Sequence, residues 1–137
     1  MGPETPRYPR PLLDKLGVKP GARIAVLGRF EPSFLEDLGG RTLDVSPSRA
    51  RKSSDLVFVT MHAKPDLARL RTIREAIKPE GAIWVVWPKG RKEFREDDVR
   101  AAGPAAGLVD VKVVAFSETL SALKMVIPVA LRPKGKR

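Results

Sequence analysis

The 137-residue chain contains no cysteine, no asparagine and no glutamine, and it has a single histidine, His62. Without cysteine there is no disulfide, no thiolate nucleophile and no cysteine metal site. One histidine with scattered carboxylates does not make a converging metal-ligand set. No G-x-S-x-G stretch is present, which argues against a Ser-His-Asp hydrolase. No Walker A loop is present for nucleoside triphosphates. No apolar run approaches the roughly 20 residues that cross a bilayer. The N-terminus "MGPETPRYPR" lacks the apolar core of a signal peptide, so no membrane contact and a cytoplasmic location are expected. Loss of the thermolabile amides, beside 13 prolines, is a pattern of proteins from hot organisms. A GC-rich genome is the alternative source of the same bias; a melting temperature in the mesophile range would decide for it.

What remains is rich in base and in short apolar runs. The formal net charge is +10. About half of the excess falls on the ends of the chain, where Arg7 and Arg10 outnumber Glu4 and where "RPKGKR" closes the sequence. The length is that of one domain able to bury a sizeable core. We therefore expect an N-terminal arm over 1–10, one domain over 11–131 and a basic tail over 132–137.

Along the domain, apolar runs alternate with helical patterns. "PLLDKLGV" predicts a short helix started by Pro11 and stopped by Gly17. Strands are expected at Arg23–Leu27, in "RTLDVS", in "DLVFVT" and in "AIWVVW". Helices are expected in "EPSFLEDLGG", ending at Gly-Gly, and over 64–81, where Leu67, Leu70, Ile73 and Ile77 keep helical spacing. "PSRARKSS" allows at most two helical turns. "REDDVRAAGPAAG" predicts a helix interrupted at Gly103-Pro104. "LVDVKVVAFS" and "ALKMVIPVAL" predict two strands so close that they must form an antiparallel hairpin. Strands alternating with helices, and apolar on both faces, predict a three-layer α/β sandwich with a mostly parallel sheet.

This order resembles the Rossmann-like fold of class I S-adenosylmethionine-dependent methyltransferases. "LLDKLGVKPGARIAVLG" is similar to that family's approach to its first strand, and "LRTIREAIKPEGAIWVVWP" to its helix-to-strand passage. "LDVSPSRAR" resembles its second-strand motif, which implies that Asp44 would hold the cofactor's ribose. Gly28 matches the glycine-rich loop, but Arg29, Phe30 and Pro32 stand where further glycines belong. Side chains there occupy the volume that a cofactor needs. Only about ten residues separate Asp44 from "DLVFVT", so one βα unit is missing. A more specific resemblance, covering nearly the whole chain, is to an uncharacterised family of small bacterial proteins with a truncated methyltransferase-like fold. It rests on a strand ending in Trp-Pro-Lys and on "GLVDVKV" and "SETLSALK". This implies no activity.

In open α/β sheets, ligands bind beyond the carboxyl ends of the strands. The residues expected there are Gly28, Arg29 and Phe30 after the first strand, and His62 and Lys64 after the third. Trp87 and Lys89 follow at the end of the fourth, with Glu118, Ser121 and Lys124 on the closing hairpin. Such an edge is cationic and favours anions. The expected partner is a phosphate-containing ligand or nucleic acid, with Trp87 or Phe30 available for stacking. Against this, Glu118 could simply pair with Lys89 or Lys124, and both tryptophans could be core. The first expectation is a non-catalytic module without a cofactor. The alternative is a methyltransferase using S-adenosylmethionine through an atypical loop. A third reading is a structural protein assembling through a sheet edge.

Overall fold

The structure, a computed structural model, describes residues 11–132. The arm and all of the basic tail except Arg132 lie outside the described residues. The elements run α1 (Leu12–Lys15), β1 (Ile24–Leu27), α2 (Pro32–Arg41), β2 (Val45–Ser46), β3 (Ser54–Thr60), a 3-10 helix (Lys64–Arg69), α3 (Leu70–Arg74), β4 (Ile77–Pro88), α4 (Glu96–Ala105), β5 (Val109–Ala115) and β6 (Leu120–Val126). A second short 3-10 helix, Val129–Leu131, closes the described chain.

Six strands form one sheet in the order β2-β1-β3-β4-β6-β5. The first four are parallel, and β6 runs antiparallel to both β4 and β5. β2 lies at one edge and the closing hairpin at the other. Alternation along each strand divides the core in two. Ala25, Val57, Ile83, Val85 and Leu123 pack toward α3 and α4 through Leu70, Ile73 and Val99. Ile24, Val26, Phe58, Trp84 and Ala122 pack toward α1 and α2 through Leu13, Leu16, Phe34 and Leu38. Period-two alternation of uniformly apolar strands is what a sheet covered on both faces requires.

Several local expectations are corrected. The helix predicted over 64–81 is a 3-10 turn followed by a five-residue helix, and Ile77 starts β4 opposite Ser54. Its apolar spacing was shared by a helix and the strand that follows it. The register shifts between Ser54 and Leu56, so "IKPEG" enters the sheet as an irregularity. Gly81 makes this passage feasible: a Cβ there would stand 2.9 Å from the Ser54 carbonyl oxygen and 3.0 Å from that of Asp55. Both atoms belong to backbone and cannot swing away. Gly81→Ala is expected to cost about 1–3 kcal/mol, as overpacking does, and denaturant unfolding would measure it.

"PSRARKSS" forms no helix. Local bonds close the segment instead: Ser46 Oγ, just before it, donates to the Arg49 carbonyl at 2.9 Å, and Ser54 Oγ donates to that of Arg51 at 2.5 Å. α2 continues through Gly39-Gly40 to Arg41. α4 is not interrupted at Pro104, which is its penultimate residue, so the missing N–H affects only the last turn. The last strand stops at Val126 rather than 131, with Pro128 just beyond it.

Candidate functional site

The loop after β1 is closed by hydrophobic packing. Gly28 has φ +96, and a Cβ there would overlap the Thr60 side chain at the end of β3. The glycine serves the approach of two neighbouring strands. Phe30 is only 9 % exposed. Its ring stacks on Phe34 with centroids 5.4 Å apart and meets Phe116 at 5.9 Å and Phe58 at 6.5 Å. Four phenylalanines thus fill the strand-end space on the α2 side of the sheet. Arg29, between these two residues, is exposed.

Asp44 lies elsewhere. It precedes β2, its carbonyl accepts the Ile24 N–H at 2.9 Å, and Ile24 opens β1. That places it at the amino ends of the parallel strands, opposite the end that holds Gly28 and Phe30. Its carboxylate takes Arg51 Nη2 at 2.6 Å and Arg23 Nε at 3.1 Å. Those two guanidinium groups, Arg51 first, hold its carboxyl below the usual range. Nearby, burial works against ionisation of Asp55, but the Arg23 N–H and the Lys78 ammonium outweigh it and also leave its pKa lowered.

These shifts set an acid dependence. Asp44 and Asp55 have lower pKa values folded than unfolded. Their stabilisation is therefore present above the unfolded value of about 3.9 and is lost as pH falls through the folded values. Asp44→Asn is expected to flatten the loss of stability below pH ~4, measured as melting temperature against pH. An unchanged acid slope would contradict this role.

The end of β4 is different. Trp87, Lys89, Gly90, Arg91, Lys92, Phe94, Arg95, Glu96 and Ser121 line an open cleft of about 410 Å³. Its apolar parts are anchored in the core: Trp87 is 3 % exposed and Phe94 1 %. Pro88 is the last residue of β4, and Gly90 turns the chain with φ +79. The Lys89 N–H donates to the Thr119 carbonyl at 2.9 Å, tying the loop to the closing hairpin. Ser121 is the cross-strand partner of Trp87. Four cations and one carboxylate surround the cleft, and that carboxylate, Glu96, is engaged by Arg100 at 2.5 Å. Among the described residues Lys89 forms no ion pair with Glu118, and both are exposed.

The other expected site residues divide. His62 and Lys64 follow β3 as expected. The His62 N–H donates to Asp66 Oδ2 at 2.9 Å, so the aspartate caps the 3-10 turn, and this bond chiefly holds the Asp66 carboxyl low. Lys64 Nζ stands 3.7 Å from Asp98 Oδ1, in the first turn of α4. Lys124 does not join Lys89 and Ser121. It pairs across the ladder with Trp84 and lies on the α1 face, whereas Ser121 faces α3 and α4 with Trp87. Neither Trp87 nor Phe30 offers a free ring face for stacking, because both are core residues. Sequence reasoning missed Phe94 and Arg95. The signal was a lone aromatic in the charged run "GRKEFRED", which pins that loop against the sheet. Among the described residues, no group of three or more His, Cys, Asp or Glu could hold a metal ion.

No protein-family model matches the chain, and no curated protein matches it by sequence. Solved structures do match. A SAM-dependent methyltransferase from Aquifex aeolicus superposes with TM-score 0.66 at 15% identity, covering 85% of this chain and 87% of that one. A SAM-dependent O-methyltransferase from Thermotoga maritima gives 0.62 at 12%, covering 92% and 65%. Magnesium protoporphyrin IX methyltransferase from Synechocystis, solved with bound SAM, gives 0.60 at 13%, covering 84% and 74%. The chain therefore has the methyltransferase-like Rossmann fold, in a short form.

Proposed function

We propose that this protein is a methyltransferase-like module that works without S-adenosylmethionine and binds a phosphate-bearing anion, free or as part of a nucleic-acid backbone, in the cleft after β4. The observation that carries this reading is the ring of Lys89, Arg91, Lys92 and Arg95 around a rigid Trp87–Phe94 floor. Arginine forks and lysine ammonium groups are the usual donors to phosphate oxygens. Phe30 in the strand-end space, and Asp44 at the far end of the sheet, support the absence of the cofactor. The test is titration with inorganic phosphate and with a single-stranded oligonucleotide at low salt. Binding that weakens steeply with salt is expected. No binding to either at low salt would overturn the proposal.

A second reading is a SAM-dependent methyltransferase, favoured by the fold neighbours. Calorimetry with S-adenosylmethionine separates the two. Heat of binding with a defined stoichiometry would establish the second reading; no heat and no thermal shift at millimolar ligand would remove it.

A further inference from the structure

The α1 face of the closing hairpin carries a like-charge pair. Lys112 and Lys124 are direct cross-strand partners in the β5–β6 ladder. The register shifts between Asp110 and Lys112, so this pair opens the regular stretch of the ladder; cross-strand partners point to one face, and like charges so placed are destabilising. Lys112 is exposed and Lys124 half-buried. Neither takes part in an ion pair among the described residues. Burial first, and Lys112 second, hold the Lys124 ammonium below its usual pKa. An arrangement that both desolvates a cation and sets a second one against it calls for a counter-charge.

The surroundings leave room for one. Lys124 lines a cleft of about 380 Å³ together with Lys19, Ala22 and Val126. Asp55 and Glu80 also line that cleft, and among the described residues neither forms an ion pair with Lys124. Lys124 is level with Trp84, while Glu80 belongs to the irregular entry to β4 before Ala82. Asp55 is engaged by Lys78 at 2.9 Å and by the Arg23 N–H at 2.8 Å. The lysine pair also lies on the face of the sheet opposite Ser121 and Trp87, so it is no extension of the strand-end cleft.

We propose that Lys112 and Lys124 form a second anion site that takes a compact oxyanion, inorganic phosphate or a phosphate monoester, between their ammonium groups. One doubly charged group with several acceptor oxygens satisfies both donors at once and removes their repulsion. Lysine serves as a point-charge phosphate binder of this kind. The site stands independently of the proposed function.

The experiment is lysine acetylation mapped residue by residue by mass spectrometry, with and without inorganic phosphate at constant ionic strength. Phosphate is expected to slow labelling of Lys112 and Lys124 several-fold and to leave exposed Lys52 unchanged. In Lys112→Gln the protection of Lys124 is expected to disappear. It is expected to persist in a variant with Lys89, Arg91 and Lys92 all replaced by alanine. Without phosphate, Lys112→Gln is expected to melt no lower than the wild type, since it relieves a repulsion, which separates loss of the site from loss of the fold. Equal phosphate effects on Lys124 and Lys52, or protection of Lys124 that survives in Lys112→Gln, would overturn the proposal. Protection confined to Lys89 and Lys92 would do the same and would leave only the strand-end cleft.

Discussion

Replacing Trp84 with alanine is expected to remove about 3–5 kcal/mol of stability, the range for deleting a buried large aromatic. The indole is fully buried at the centre of β4, among Leu16, Phe58 and Val86 on the α1 and α2 side. Its Nε1–H donates to the Leu16 carbonyl at 2.9 Å, a bond that spans 68 residues and fastens the end of α1 to the middle of the sheet. A domain has only about 5–15 kcal/mol in hand, so the alanine variant will sit near its unfolding threshold. Trp84→Phe separates the two contributions. It keeps most of the ring volume but leaves the Leu16 carbonyl without its partner, at a cost of about 1–3 kcal/mol. Denaturant unfolding of both variants checks this. A loss below about 1 kcal/mol in Trp84→Ala would be incompatible with a ring packed on every side. The consequence reaches the cleft, because β4 ends in the Trp87-Pro88-Lys89 passage on which the site is built.

The architecture was legible because the chain writes it in uniformly apolar strands. "DLVFVT" and "AIWVVW" are apolar on both faces, and only interior parallel strands need that. The short connection between the last two runs allowed nothing but a hairpin, and the short gap after Asp44 left no room for another βα unit. The local errors have physical reasons. Ile77 satisfied the helical spacing of Leu70 and Ile73, yet its side chain is buried as a strand residue, and no pattern distinguishes the two within one turn. Asp44 looked like a residue at the end of a strand because its motif does not reveal where β2 begins. The structure starts that strand at Val45, level with Ile24, so Asp44 falls at the opposite end of the sheet from Gly28. Lys124 was the avoidable error. It lies three residues from Ser121, and an odd spacing on a strand always puts two side chains on opposite faces. Phe30 and Phe34 also carried a signal in their i, i+4 spacing, since they stack as one seam against Phe58 and Phe116.

A variant with Lys89→Ala, Arg91→Ala and Lys92→Ala is expected to lose most of its salt-dependent binding to a single-stranded oligonucleotide while keeping its melting temperature. The three side chains are exposed and take no part in an ion pair among the described residues, so their removal should leave the core untouched. Each phosphate neutralised on a single strand adds roughly 0.7 to the slope of log affinity against log salt. Four cations around the cleft then give a slope of roughly 3, and Arg95 alone gives less than 1. Over a fourfold rise in salt, from 50 to 200 mM, affinity should fall roughly 50-fold in the wild type and about 3-fold in the variant. The slope discriminates better than affinity at any single salt. Uniformly weaker binding with an unchanged slope would mean that the phosphates are held elsewhere, and the assignment of this cleft would be lost. A slope that falls with each substitution in turn would instead mean that all three side chains meet the same backbone, with the Trp87–Phe94 floor fixing their height above the sheet.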